Sequence, residues 1–136
     1  MIVVDASALT EYLLNRGEAV AALERLVDGR QSVLHAPELV DLEVLSALRG
    51  LVRGGAVDER LADETVADLA ELRLLRHPHG PLRDAIWRLR DELSAYDAAY
   101  LALAEALDAD CLLTADRGLA ARARDRLGDG RVVSVA

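Results

Sequence analysis

The sequence predicts a single α/β domain with a central, mainly parallel sheet of four to five short strands flanked by helices. Three observations lead there. Short apolar runs such as Ile2-Val3-Val4, Leu112-Leu113 and Val132-Val133 recur along the chain, each brief and unbroken, as in strands buried on both faces. Longer stretches with helical spacing separate them, and alternation of strand with helix is the pattern of a parallel sheet joined by crossovers. At 136 residues and 52% hydrophobic content, the chain suits one domain with one sizeable core. No linker or second domain is expected across 1–136.

The first seven residues, Met-Ile-Val-Val-Asp-Ala-Ser, are apolar up to a carboxylate and small after it. That is a buried strand with Asp5 at its carboxyl end. Ser7 is suited to cap a short helix over residues 8–14, so Asp5 is not needed for that task. Gly17 breaks the chain before a second helix over 18–27, which Asp28-Gly29 closes. Ser32-Val33-Leu34-His35 reads as a second strand with His35 at its end, a hydrogen-bonded structural residue. Pro37 suits the first turn of a third helix that runs to about Arg53 and stops at Gly54-Gly55. Residues 58–71 form an amphipathic helix with Leu61, Thr65, Leu69 and Leu72 on one side. Leu74 and Leu75 lie in a short third strand, and His77-Pro78-His79-Gly80-Pro81 is turn chemistry with exposed histidines. Residues 82–93 return to helix, with Ile86, Trp87, Leu89 and Leu93 available for burial. Ser94 opens a helix to Leu107. A strand over 111–114, a helix over 117–127, a turn over 128–130 and a last strand over 132–135 complete the chain.

Composition narrows the function. No apolar stretch is long enough to span a bilayer and no basic segment precedes the apolar start, so a cytoplasmic protein without membrane association is expected. The single cysteine, Cys111, sits in an apolar run and reads as core. A net charge of −8 argues against nucleic acid as a partner, but its distribution qualifies that. Residues 58–71 are strongly acidic, whereas 73–90 carry five arginines against Asp84 alone, and Arg117, Arg122, Arg124 and Arg126 follow later. All the basic side chains are arginines, the better bidentate phosphate binders. Aromatic residues are few, so stacking platforms for bases would be scarce.

Four acids carry the candidate chemistry. Glu43 shares its helical side with Leu39, Val40, Ala47 and Gly50 at about 100° per residue, and a glutamate there needs a partner. A buried ion pair with arginine is one answer and a metal the other. Asp97 follows Ser94 by three residues, so a capping-box role competes with a catalytic one. Asp116 precedes a helix, where an N-cap aspartate is routine. Grouping alters the balance: Asp5 and Asp116 follow strands at their carboxyl ends, and Glu43 and Asp97 lie in early turns of helices that begin near that edge. Carboxylates gathered without lysine or histidine repel, and a hard divalent cation, Mg²⁺ or Mn²⁺, resolves the repulsion.

Asp5 in Val-Val-Asp-Ala-Ser, Glu43 in Pro-Glu-Leu-Val-Asp-Leu-Glu, Asp97 in Tyr-Asp-Ala-Ala-Tyr-Leu-Ala-Leu-Ala and Asp116 in Leu-Leu-Thr-Ala-Asp-Arg-Gly-Leu resemble the ordered acidic signature of PIN-domain ribonucleases. Size and motif order are most similar to the VapC toxins of bacterial toxin-antitoxin pairs. The resemblance covers the whole chain and implies a PIN-like fold and RNA cleavage with Mg²⁺ or Mn²⁺. It also implies silencing by a cognate VapB-type antitoxin, with a basic antitoxin residue over the cleft, and a homodimer. On that reading Asp5 and Asp97 are direct metal ligands and Glu43 and Asp116 complete the site. Ser7 and Thr114 orient carboxylates, and Arg117 is a candidate substrate contact. Some relatives carry a further acid near Asp116, where this chain has Ala115 and Arg117. A non-catalytic PIN-like binding module and a PIN nuclease of RNA processing are the alternatives. A dehalogenase-like phosphotransferase would need an aspartate where Ser7 stands, a receiver domain would need a lysine, and no phosphate-binding glycine loop is present.

Overall fold

The structure, a computed structural model, describes residues 1–27 and 33–136. Five strands, β1 (Ile2–Val4), β2 (Leu34–Pro37), β3 (Leu74–His77), β4 (Cys111–Thr114) and β5 (Val132–Ser134), form one sheet in the order β3-β2-β1-β4-β5. Every pairing is parallel. The helices are α1 (Ala6–Leu13), α2 (Ala19–Val27), α3 (Val40–Arg53), α4 (Glu59–Glu71), α5 (Arg83–Arg88), α6 (Ala95–Ala106) and α7 (Arg117–Leu127).

The first strand is the middle of the sheet. Ile2, Val3 and Val4 are buried, as are all four residues of β4 beside it, so both strands need cover on two faces. Helix α6 supplies part of it, packing on β1, β2 and β4, while α7 packs on β4 and β5 and α1 packs against α2 and α3. The run from Ala98 to Ala104 in α6 is buried throughout, which explains its alanine and leucine content: a helix enclosed on most sides has little room for polar or branched residues.

Several boundaries differ from expectation. Pro37 ends β2 instead of opening α3, which starts at Val40. A strand's last residue can lack an N–H at little cost, and here the following N–H, from Glu38, donates to the His77 carbonyl at 2.9 Å. His35 therefore lies inside β2 and not at its end. It is buried and hydrogen-bonded, its Nδ1 standing 2.9 Å from His77 Nε2. His77 and His79 are not idle loop residues: His77 stacks on His35, and His79 Nε2 accepts the Leu39 N–H at 3.1 Å at the start of α3. The helix expected over 82–93 is a short turn at Gly80–Leu82 followed by α5, which stops at Arg88. Leu89 and Arg90 close back onto Ile86 and Trp87, a tightening that ends helices. Trp87 is 66% exposed instead of buried. The expected closure at Asp28-Gly29 and the expected start of β2 at Ser32 lie outside the described residues. Among the described residues no helix is long and apolar enough to cross a membrane.

Candidate active site

Two neighbouring strands set up the site. β1 and β4 pair in parallel register, Val4 opposite Leu113, so Asp5 and Asp116 leave the same edge of the sheet. From β1 the chain builds outward through β2 and β3, then crosses back to build β4 and β5 on the other side. Ligands of open α/β sheets bind at the carboxyl edge where connections diverge in this way.

Asp5 is 4% exposed. Its Oδ1 accepts the Ala8 N–H at 2.9 Å and the Ser7 hydroxyl at 2.7 Å, and its Oδ2 accepts the Thr114 hydroxyl. Asp5 is thus the cap of α1, where Ser7 was expected. The helix begins at Ala6, immediately after the strand, which leaves Asp5 in the cap position and Ser7 inside the first turn. Ser7 Oγ also accepts the Ala115 N–H at 3.0 Å, and Thr114 Oγ1 accepts the Asp116 N–H at 2.9 Å. Two hydroxyls therefore stitch the ends of β1 and β4 together and fix the Asp5 carboxylate. Burial pushes that carboxyl above its usual range, against the bonds from Ala8, Thr114 and Ser7, and the Asp116 charge adds to the rise.

Asp97 sits in the first turn of α6, and its N–H donates to Ser94 Oγ at 3.2 Å. Ser94 caps the helix, but the reciprocal half of a capping box is missing: among the described residues the Asp97 carboxylate accepts no hydrogen bond. It is half-buried and pushed up to about 6, by burial first and then by the charges of Asp116, Asp5 and Glu43.

Glu43, in the first turn of α3, has no arginine partner among the described residues. Arg76 pairs instead with Asp41, Nε to Oδ2 at 2.6 Å and Nη2 to Oδ1 at 2.8 Å, tying β3 to α3 two residues before Glu43. Glu43 Oε1 accepts the Tyr100 hydroxyl at 2.6 Å. Tyr100 is 1% exposed, and burial followed by the Glu43 bond raises its phenol far above the ordinary value, so it stays a donor. No role for Tyr100 was evident in the sequence. The available signal was its spacing three residues after Asp97, which puts both on one side of α6.

Asp116 is exposed and caps α7, with Oδ1 accepting the Leu119 N–H at 2.9 Å. A Cβ at Gly118 would stand 3.2 Å from that oxygen, so glycine leaves the carboxylate room. Arg117 is exposed and forms no ion pair or hydrogen bond among the described residues. A cleft of about 420 Å³ is lined by Glu43 together with Ser7, Thr10, Glu11 and Arg16 among others.

Asp97 is thus in electrostatic reach of the other three acids, and among the described residues none of the four forms an ion pair. Nor, among those residues, do three His, Cys, Asp or Glu side chains stand close enough to enclose a metal as they are. The donor chemistry nevertheless fits a hard divalent cation, being all oxygen, mutually repelling and, among the described residues, without an ion-pair partner.

Residues 2–125 match the family described as PIN domain. The chain is 49% identical over 121 residues to Ribonuclease VapC9 of Mycobacterium tuberculosis, covering 85% of this chain and 86% of that protein. It is 41% identical over 120 residues to Ribonuclease VapC1 of the same organism, covering 88% of each. Among solved structures, PAE2754 from Pyrobaculum aerophilum superposes with a TM-score of 0.68 at 28% identity, covering 97% of this chain and 82% of that one. VapC20 of Mycobacterium tuberculosis, described as a sarcin-ricin loop cleaving toxin, superposes with a TM-score of 0.65 at 17% identity over 90% of this chain and 95% of its own, a likeness of fold.

Proposed function

The chain belongs to the PIN-domain family, among its VapC ribonucleases, and on that premise we propose that it is a metal-dependent endoribonuclease acting as the toxin of a toxin-antitoxin pair. Asp5, Glu43, Asp97 and Asp116 are its catalytic acids. The observation that carries this reading is the Asp97 carboxyl, raised to about 6 by burial and three other carboxylates. Structural acids are ordinarily paired with cations, whereas groups whose ionisation is strained in company mark functional sites.

Asp5 and Asp97 would hold Mg²⁺ or Mn²⁺ directly, with Glu43 and Asp116 completing the site directly or through water, and the ion would supply an activated water and charge stabilisation at the scissile phosphate. The chain's own contributions are orientation and proton handling. Ser7 and Thr114 keep Asp5 in one rotamer. Tyr100 occupies one oxygen of Glu43, leaving the other to take a proton from the attacking water. Arg117, at the start of α7 beside Asp116, is a phosphate contact. A cognate VapB-type antitoxin is the partner and a homodimer the assembly.

Incubating the purified chain with cellular RNA, with and without Mg²⁺ or Mn²⁺, and sequencing the new RNA ends tests the reading. Discrete cleavage that needs the metal and disappears in Asp97→Asn is expected. Undiminished cleavage by Asp97→Asn, or none by the wild type with either ion, would overturn it.

A further inference from the structure

We propose that Trp87 and Arg90 form a stacking platform that receives one base of the RNA beside the acid cluster, an inference that rests on the ribonuclease reading. Trp87 is the chain's single tryptophan and is 66% exposed. A ring of that size left in water forgoes a large burial gain, and this one is held in place. The Arg90 guanidinium lies 4.7 Å from the ring centroid, and its Nη1 donates to the Trp87 carbonyl at 3.0 Å, in the turn that closes α5. The arginine lies over one face of the indole.

Trp87 lines a groove of about 790 Å³ together with Arg83, Arg90, Ile86, Ser94 and Ala95. That volume suits a bound nucleotide. Ser94 and Ala95 open α6, and Asp97 is in the same first turn with its N–H on Ser94 Oγ, so one end of the groove is a helical turn from Asp97. Its chemistry is matched to a nucleotide on two counts: a π-face for a base, and arginines for the phosphate attached to it. Arg83 and Arg90 line the groove with one acid, Asp84, so its lining carries a small positive excess in a chain whose net charge is −8, while Asp91 and Glu92 follow next in the chain.

The single tryptophan makes the test direct, since intrinsic indole fluorescence reports on Trp87 alone. A short, dye-labelled single-stranded RNA of mixed sequence is titrated into the full chain carrying Asp97→Asn with Mg²⁺, and binding is followed by RNA anisotropy and by indole emission. Emission should be quenched along the same isotherm as the anisotropy. Trp87→Leu, which keeps the apolar bulk at an exposed position, should weaken binding about five- to hundredfold, and Trp87→Tyr should restore most of it. In the otherwise wild-type chain, Trp87→Leu should raise KM for RNA cleavage and leave kcat near its starting value. RNA binding with unquenched emission, or with equal affinity in Trp87→Leu, overturns the platform and leaves the ribonuclease reading standing. Emission that depends on protein concentration without RNA assigns the face to a second copy and also overturns it. Absence of both RNA binding and wild-type cleavage removes the two readings together.

Discussion

Replacing Asp97 by asparagine should make the metal-free protein more stable at neutral pH. The carboxyl rises from 3.8 to about 6 on folding, so between those values the folded chain holds a proton there that the unfolded chain has released, and at pH 7 folding must keep it ionised at a cost. Stability from this group is fully present below about pH 4 and is lost as pH rises through about 6. A two-unit shift corresponds to about 2.7 kcal/mol, and screening at a carboxylate still partly in water reduces it to about 1 to 2 kcal/mol. Asparagine also forfeits the favourable position of a charge in a first helical turn, about 0.3 to 1 kcal/mol. A net gain of about 1 kcal/mol at pH 7 remains, equivalent to about 3 to 5 °C in Tm for a chain of this size. Urea unfolding of both proteins in chelator at pH 4 and pH 7 measures it. The buried His35, whose basicity burial lowers, is common to both proteins and cancels in the difference. A variant that is less stable than wild type at pH 7, or a difference that does not change with pH, would refute the account of Asp97 as a strained acid and return it to helix capping.

Three further outcomes follow from the same contacts. Tyr100→Phe removes the donor to Glu43, which should cost about 1 to 2 kcal/mol in urea unfolding and about tenfold or more in cleavage rate as Glu43 loses its orientation; unchanged cleavage would separate Glu43 from the reaction. Thr114→Val keeps the shape but strands Asp5 Oδ2 and the Asp116 N–H, so it should lose about 2 to 4 kcal/mol by thermal or chemical unfolding while Thr114→Ser loses little. Mn²⁺ or Mg²⁺ should raise the Tm of the wild type and raise that of Asp5→Asn much less, because only the native fold gathers the acids; equal responses in scanning calorimetry would count against a metal at this site.

Most of the architecture was legible because the apolar runs were short, β-branched or leucine-rich, and separated by well-marked helices. β4 and α7 have the bounds the pattern suggests. Asp5 and Asp116 stood out because each ends a buried run, and an acid after a buried strand points to the sheet edge. What escaped notice depended on partners distant in sequence. The loop histidines look idle until His35, in another strand, is beside His77. Tyr100 looks like one more buried residue of an apolar helix until Glu43 arrives from α3. Pro37 carries a helix-start signal and a strand-end signal at once, and only the pairing of β2 with β3 decides between them. Trp87 has helical spacing consistent with burial, but spacing does not say whether a surface exists to cover that face.

The stitching of β1 to β4 also sets when during synthesis the protein can acquire its activity. Asp5 leaves the ribosome well ahead of its partners, since its N–H bonds to Leu113 O and its carboxylate to Thr114, while Ser7 waits for Ala115. A nascent chain that has emerged only through α6 carries Asp5, Glu43 and Asp97 but no β4 to close the centre of the sheet, so its first strand has one edge unpaired and its acids unassembled. Pairings of such long sequence separation are the slow ones to form, and chains grow from the amino end. The four acids therefore gather only after β4 and the residues that follow it have come free of the ribosome.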